Sequence, residues 1–194
     1  TREKTELLAK KGGCRACRTI DELLALAPDY VAEAASVQSV KDCGVKILAS
    51  GASMIVLSIG AFADKEFYGQ VKETAAVHGT RVYIASGAVG GFDVLRTISL
   101  MGQAEAGIRT KKGPASLKGT PLFEERLMED TQESHVFHGN AKEAISLLPT
   151  KVNVAVASSL ATVGPEDTRV DIYSVPGMVG DDHKITSQIE GVKA

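Results

Sequence analysis

The sequence holds no tryptophan, and aromatic residues of all kinds make up 5% of its 194 positions. With no stacking platform, and with Lys and Arg scattered rather than gathered into a stripe, nothing suggests a nucleic-acid partner. Charge of one sign is also lacking: 22 Lys and Arg stand against 24 Asp and Glu, a formal −2. Apolar runs are short. Those such as Ala52–Ile59 fall far below the roughly 20 residues that a bilayer span needs, so no membrane association is expected. Thr1–Lys11 is charged and helix-like, unlike a secretory leader. Three Cys are too few for a disulfide framework and fit a reducing, cytoplasmic setting. What remains is ordinary globular composition, 44% hydrophobic and 24% charged, in a chain long enough for one large domain or two small ones.

A G-x-G-x-x-G fingerprint is missing too, although the first half otherwise alternates strands with helices. Thr1–Lys11 reads as a helix stopped by Gly12-Gly13. Cys14–Arg18 reads as a short strand. Thr19 and Glu22 have capping-box spacing for a helix that runs to about Ala27 and ends at Pro28. Asp29–Ala35 and Ser53–Ile59 read as buried strands around a helix capped by Ser36 and closed by Gly51. Asp64–His78 is a helix stopped by Gly79, and a strand follows at 81–84. This alternation predicts βαβ units and a Rossmann-like parallel sheet. A nucleotide-binding half normally opens on strand, glycine fingerprint and helix; this sequence opens on a helix.

The pattern changes after Gly102. Ala104–Lys112 alternates as a strand with one covered face, and Gly113–Asp130 reads as a long loop around a short helix. Ser134–His138 is a strand, Asn140 caps a helix to Leu148, and Pro149 ends it. Val152–Ala161 is a helix of small residues, and Arg169–Ser174 and Lys184–Ile189 are strands. The fold class is therefore α/β: a Rossmann-like parallel layer in residues 1–90, followed by an α+β domain with a mostly antiparallel open sheet in residues 91–194.

Residues 81–93 carry the strongest local signal. Val82, Tyr83 and Ile84 form a strand, Ser86-Gly-Ala-Val-Gly-Gly91 a turn of small residues, and Phe92 opens an amphipathic helix. Gly-rich backbone between a strand's carboxyl end and a helix lets a ligand approach main-chain N–H groups, and in open α/β sheets that is where ligands bind.

Among reactive side chains, Cys14 and Cys17 read better as small strand residues than as a metal or redox pair, since Cys43 is the only other Cys and tetrahedral zinc needs four ligands. His135 and His138 are expected on opposite faces of their strand, which prevents them from chelating one ion. His78 lies at a helix C-terminus, where a cation complements the dipole. No metal site is expected. His183, in the polar stretch Gly180-Asp-Asp-His-Lys184, stands apart: two neighbouring carboxylates would favour its protonated form and orient the ring. Its alternative reading is a solvated histidine in an acidic loop. Asn153 is either an N-cap or a carboxamide offered to a polar ligand. Arg109, Lys111 and Lys112 form a basic cluster, either a solvated edge or an anchor for an anionic substrate.

Four segments occur in order: Ile84-Ala-Ser-Gly-Ala-Val-Gly-Gly91, His138-Gly-Asn-Ala-Lys-Glu-Ala144, Pro149-Thr-Lys-Val-Asn-Val-Ala155 and Asp182-His-Lys-Ile185. Together with the Ala34-Ala35-Ser36 and Ser58-Ile-Gly-Ala61 strand ends, they make the chain resemble the L-aspartate dehydrogenase family over nearly its whole length. The resemblance implies an NAD- or NADP-dependent oxidoreductase that converts L-aspartate to iminoaspartate, which hydrolyses to oxaloacetate and ammonia and can feed NAD biosynthesis. It implies His183 as the catalytic residue, with Ala88 and Asn153 contacting the cofactor. Ser86, Gly87 and Lys112 are the candidates for the substrate carboxylates. A homodimer is expected from the resemblance and the open second sheet. The departures are the missing fingerprint and Asp182, which stands where many relatives carry Asn and would raise the pKa of His183. The alternatives are a related two-domain reductase of the dihydrodipicolinate or homoserine type, and a non-catalytic dinucleotide-binding protein.

Overall fold

Side-chain caps start three helices of the first half. In the computed structural model, which describes residues 2–86 and 89–194, helix α1 spans Arg2–Gly12 and α2 spans Ile20–Leu24. The Thr19 hydroxyl accepts from the Glu22 N–H at 3.2 Å. The Glu22 carboxylate reaches back to the N–H of Arg18, one residue earlier than a capping box requires. Ser36 caps α3 (Val37–Ala49) by accepting from Ser39 N–H at 3.1 Å. Asp64 caps α4 (Lys65–His78) through Glu66 and Phe67 N–H, and left-handed Gly79 closes it. Each cap satisfies N–H groups that the first turn leaves without helical partners.

Strands β1 (Tyr30–Glu33), β2 (Ser53–Val56) and β3 (Val82–Ile84) form a parallel three-stranded sheet in that order. Glu33 ends β1 almost fully buried. Its carboxylate accepts from the N–H groups of Ala35, Ser36 and Ser58 and from the Ser58 hydroxyl, at 2.7–3.1 Å. One side chain thereby ties the carboxyl ends of β1 and β2 together and satisfies backbone donors where both strands stop.

Four expectations fail in this half. Strand β1 is shorter than 29–35 and largely exposed rather than buried, with Tyr30 open to solvent. Cys14–Arg18 forms no strand. Helix α2 stops at Leu24 instead of Ala27, and Ala27, the residue before Pro28, sits at φ 49°, outside the right-handed helical region that a following proline disfavours. The second strand ends at Val56, not Ile59, and Ile59–Ala63 winds into a fully buried 3-10 turn.

Helix α5 (Phe92–Met101) leads into the second sheet, whose strands β4 (Glu105–Lys112), β5 (Ser134–Asn140), β6 (Thr168–Ser174), β7 (Asp181–Ile189) and β8 (Val192–Lys193) run in the order β5-β6-β4-β7-β8. Only β4 and β6 pair in parallel. The long 113–130 segment contains α6 (Pro114–Leu117) and a 3-10 turn at Glu125–Met128. Helix α7 (Ala141–Leu147) has a complete Asn140/Glu143 capping box, and α8 spans Asn153–Ala161. No described helix is long and apolar enough to cross a membrane.

One face of the second sheet is covered. Ile108, Val170 and Ile172 pack in a continuous core with Ala144, Leu148 and Val156 of the second half and with Leu48, Met54, Val56 and Phe62 of the first. The 3-10 turn is where the halves meet. A Cβ on Gly60 would lie 2.6 and 2.8 Å from Ile145 atoms and 3.0 Å from Val37. Gly60→Val is therefore expected to overpack the seam and lower stability by about 1–3 kcal/mol. Urea unfolding checks this, and an unchanged midpoint would contradict it.

Candidate active site

The pairing of β4 with β7 builds the site. Thr110 stands opposite His183 and Lys112 opposite Asp181. Side chains alternate along a strand, so these four residues share the helix-covered face, while Arg109, Lys111, Asp182 and Lys184 point to the other. His183 thus belongs to a strand rather than a loop. Its Nδ1 lies 2.9 Å from the Oγ1 of buried Thr110. Lys112 is only 2% exposed and its ammonium is paired with the Asp181 carboxylate, which offsets the cost of burying the charge.

This arrangement reverses the expectation for His183. Burial and the Lys112 ammonium push its imidazole below the ordinary value, outweighing the upward pull of Asp181 and Asp182. Asp181 is committed to Lys112 and Asp182 lies across the sheet, so neither orients the ring; Thr110 does. The expected basic cluster is also divided. Arg109 lies over the Tyr173 ring and Lys111 pairs with Glu133 on the outer face, leaving Lys112 alone on the inner one.

Two adjoining cavities share His183, Asp181 and Val154. One, of about 780 Å³, is walled by Val89, Gly90 and Gly91 of the small-residue turn and by Val94, Leu95 and Ile185. The other, of about 410 Å³, is lined by Lys112, Ser116, Thr150, Lys151 and Asn153. The glycine-rich turn and the histidine, about 90 residues apart in sequence, therefore face one space.

Asn153 is not the N-cap of α8. Val152 holds that position and Asn153 is the first helical residue. Its Oδ1 accepts from the Gly60 N–H at 3.1 Å. That bond fixes the amide orientation and leaves its NH2 without a partner among the described residues. Ser86 is exposed, its carbonyl accepting from Val89 N–H, and it does not line either cavity. Gly87 and Ala88 lie outside the described residues.

Thr110 and Lys151 have no local signal in the sequence, and Asp181 stands out there only as a neighbour of His183. Lys151 donates to the carbonyls of Ser116 and Lys118, tying the segment after β4 to the wall of the smaller cavity. The signal for Thr110 and Asp181 is the β4–β7 register, which no local motif encodes.

The donor set suits the nicotinamide end of a dinucleotide. An anchored carboxamide, glycine backbone and apolar walls can seat a flat amide-bearing ring beside an imidazole. Comparison with known proteins agrees. Residues 1–85 match the NAD-binding domain of homoserine dehydrogenase, and residues 93–192 match the C-terminal domain of aspartate dehydrogenase. Fold and site together define a dehydrogenase of the nicotinamide-dinucleotide class. L-aspartate dehydrogenase of Methanococcus maripaludis strain C7 is 37% identical over 185 residues, 94% of this chain and 68% of that protein. That of Methanosarcina acetivorans is 34% identical over 183 residues, 93% and 68% of the two chains. The crystal structure of Thermotoga maritima aspartate dehydrogenase superposes with a TM-score of 0.73 at 30% identity, covering 86% of this chain and 66% of that one. The chain, which spans about two thirds of these relatives' length, belongs to the aspartate dehydrogenase family.

The lowered pKa has a measurable consequence. His183 should titrate below the ordinary ~6.5, which NMR of the imidazole checks; a value above it would contradict the assigned surroundings. The sign for stability follows: a group whose folded pKa is depressed contributes fully above its unfolded value. That contribution is lost as pH falls through the folded one.

Proposed function

We propose that this chain oxidises L-aspartate to iminoaspartate with NAD+ or NADP+, the imine then hydrolysing to oxaloacetate and ammonia. The observation that carries the reading is the convergence of His183, Asn153 and the Val89–Gly91 backbone on adjoining cavities in a chain of the aspartate dehydrogenase family. The dinucleotide, when bound, accepts a hydride from the substrate Cα. Everything else is the work of this chain's side chains.

His183 is the general acid/base. When Nδ1–H donates to Thr110 Oγ1, Nε2 carries the lone pair. An imidazole whose pKa is held low is unprotonated at neutral pH, ready to take a proton from the substrate ammonium or from water attacking the imine. Asn153 uses its Oδ1 on Gly60 and presents its NH2 to the ring amide of the cofactor. Ala88 and Gly87, which precede Val89–Gly91 in the sequence, remain candidates for the cofactor and substrate contacts. Lys112 is a substrate anchor only if a carboxylate shares its ammonium with Asp181. Lys151, on the same wall, brings a second positive charge to the smaller cavity.

The same reading assigns residues 1–90 to dinucleotide binding and 91–194 to catalysis and dimerisation, a division supported by the change from parallel to mixed sheet and by the two family matches. It also includes a cytoplasmic homodimer, supported by free cysteines and by the likeness to the aspartate dehydrogenase family, and a contribution of iminoaspartate to NAD biosynthesis.

The test is oxidation of aspartate, homoserine and other amino acids with each dinucleotide. Turnover of another substrate but not aspartate would overturn the assignment, and binding without any turnover would favour a dinucleotide sensor. His183→Ala should lower turnover by about 10²–10⁴-fold with dinucleotide affinity little changed, and near-normal turnover would refute its role. Asn153→Ala should weaken dinucleotide binding by about 1–2 kcal/mol, roughly five- to thirtyfold. Calorimetry, with thermal unfolding as the control for the lost Gly60 bond, checks it.

A further inference from the structure

The outer face of the second sheet carries a side-chain cluster that the proposed reaction does not use. His135 and His138, three apart in β5, would point to opposite faces of a regular strand. They do not, because the β5–β6 pairing slips by one residue between His135 and Phe137. His135 stands opposite Tyr173 and His138 opposite Asp171, with Val136 as the extra residue. A bulge of this kind puts two residues against one and re-aims the side chains that follow. Both imidazoles therefore lie over β6 on the face away from His183.

They meet at one atom. Asp171 Oδ1 lies 2.8 Å from His138 Nδ1 and 3.1 Å from His135 Nε2, and the three atoms lie within 4.8 Å of one another. A tetrahedral ion with bonds of about 2.0–2.1 Å holds its ligands roughly 3.3 Å apart, so the cluster needs only a small spreading of side chains to admit one. The parts are also held in place. The Tyr173 ring stacks on His135 at 4.5 Å between centroids and 15° between planes, which fixes that imidazole edge-on to Asp171. Arg169 Nε lies 3.7 Å from the other oxygen, Oδ2, leaving Oδ1 turned to the two rings.

We propose that His135, His138 and Asp171 form a binding site for a divalent transition-metal ion of the zinc class, clipping the edge strand β5 to β6. Two imidazoles and one carboxylate suit Zn2+, Co2+, Ni2+ or Cu2+, whereas Mg2+ and Ca2+ require mostly oxygen ligands. His138 is 64% exposed, so water completes the coordination. All three ligands come from one chain, and the sheet separates them from the His183 cavities. The ion's role is structural: a ligand bound only by the folded chain stabilises it by mass action.

The test is calorimetric titration of the metal-stripped full chain with Zn2+, in a Cys14→Ser/Cys17→Ser background that removes competing thiols. One ion per chain is expected. His138→Gln and Asp171→Asn should each weaken binding about tenfold or more, whereas His183→Ala should not. Zn2+ should also raise the melting temperature of the parent chain and not of His138→Gln, a substitution at an exposed position. Co2+ should give a visible spectrum that the same variants lose. Equal Zn2+ affinity in the parent and in both ligand variants, or no binding by the parent, would overturn the site.

Discussion

The register of β4 against β7 is the constraint on which the arrangement around His183 depends. It sets Thr110 against His183 and Lys112 against Asp181 on one face, and the pleat sends their neighbours to the other. Sliding β7 by one residue would bring Asp182 and Lys184 to the cavity and turn the imidazole to the far side of the sheet. Strand β7 lies between β4 and β8, so such a slip is costly because the ladders on both of its sides would have to break. The buried Lys112 ammonium adds to the penalty, since it would be stranded without the Asp181 carboxylate.

Much of the fold was legible because helix ends are local. Ser36 and Asn140 cap the helices they were expected to cap, α4 begins at Asp64 as expected, and Gly79 stops it in the left-handed conformation its lack of a Cβ permits. Strand–helix alternation before Gly102 gave the parallel sheet, and alternating burial along β4 gave the covered face of the second. The early end of α2 has a local contribution from Pro28, which disfavours the helical conformation at Ala27 before it.

The site was less legible because its geometry is set between strands. Asp182 adjoins His183 in sequence and lies across the sheet from it, so sequence proximity gave the wrong sign for the imidazole's shift. Arg109, Lys111 and Lys112 look like one cluster and divide between two faces. His135 and His138 look divided and are brought together by a bulge at Val136. Glu33 read as one more strand residue, yet its carboxylate collects four hydrogen bonds from two strand ends. In each case the deciding fact is a partner supplied from elsewhere in the chain. The family resemblance located His183 and Asn153 where spacing alone left each with an ordinary structural alternative.

The hydrogen bond from Gly60 to Asn153 crosses the junction between the halves, within a core that runs through both. In the proposed reaction, the amide assigned to the cofactor's ring is thereby indexed to the main chain of the first half, and the imidazole assigned as proton acceptor to the centre of the second sheet. The span from hydride acceptor to proton acceptor is then a property of the folded chain, already set when substrate arrives. Binding energy need not be spent on bringing the two into range, and selectivity among amino acids falls to the groups that grip the substrate's far carboxylate.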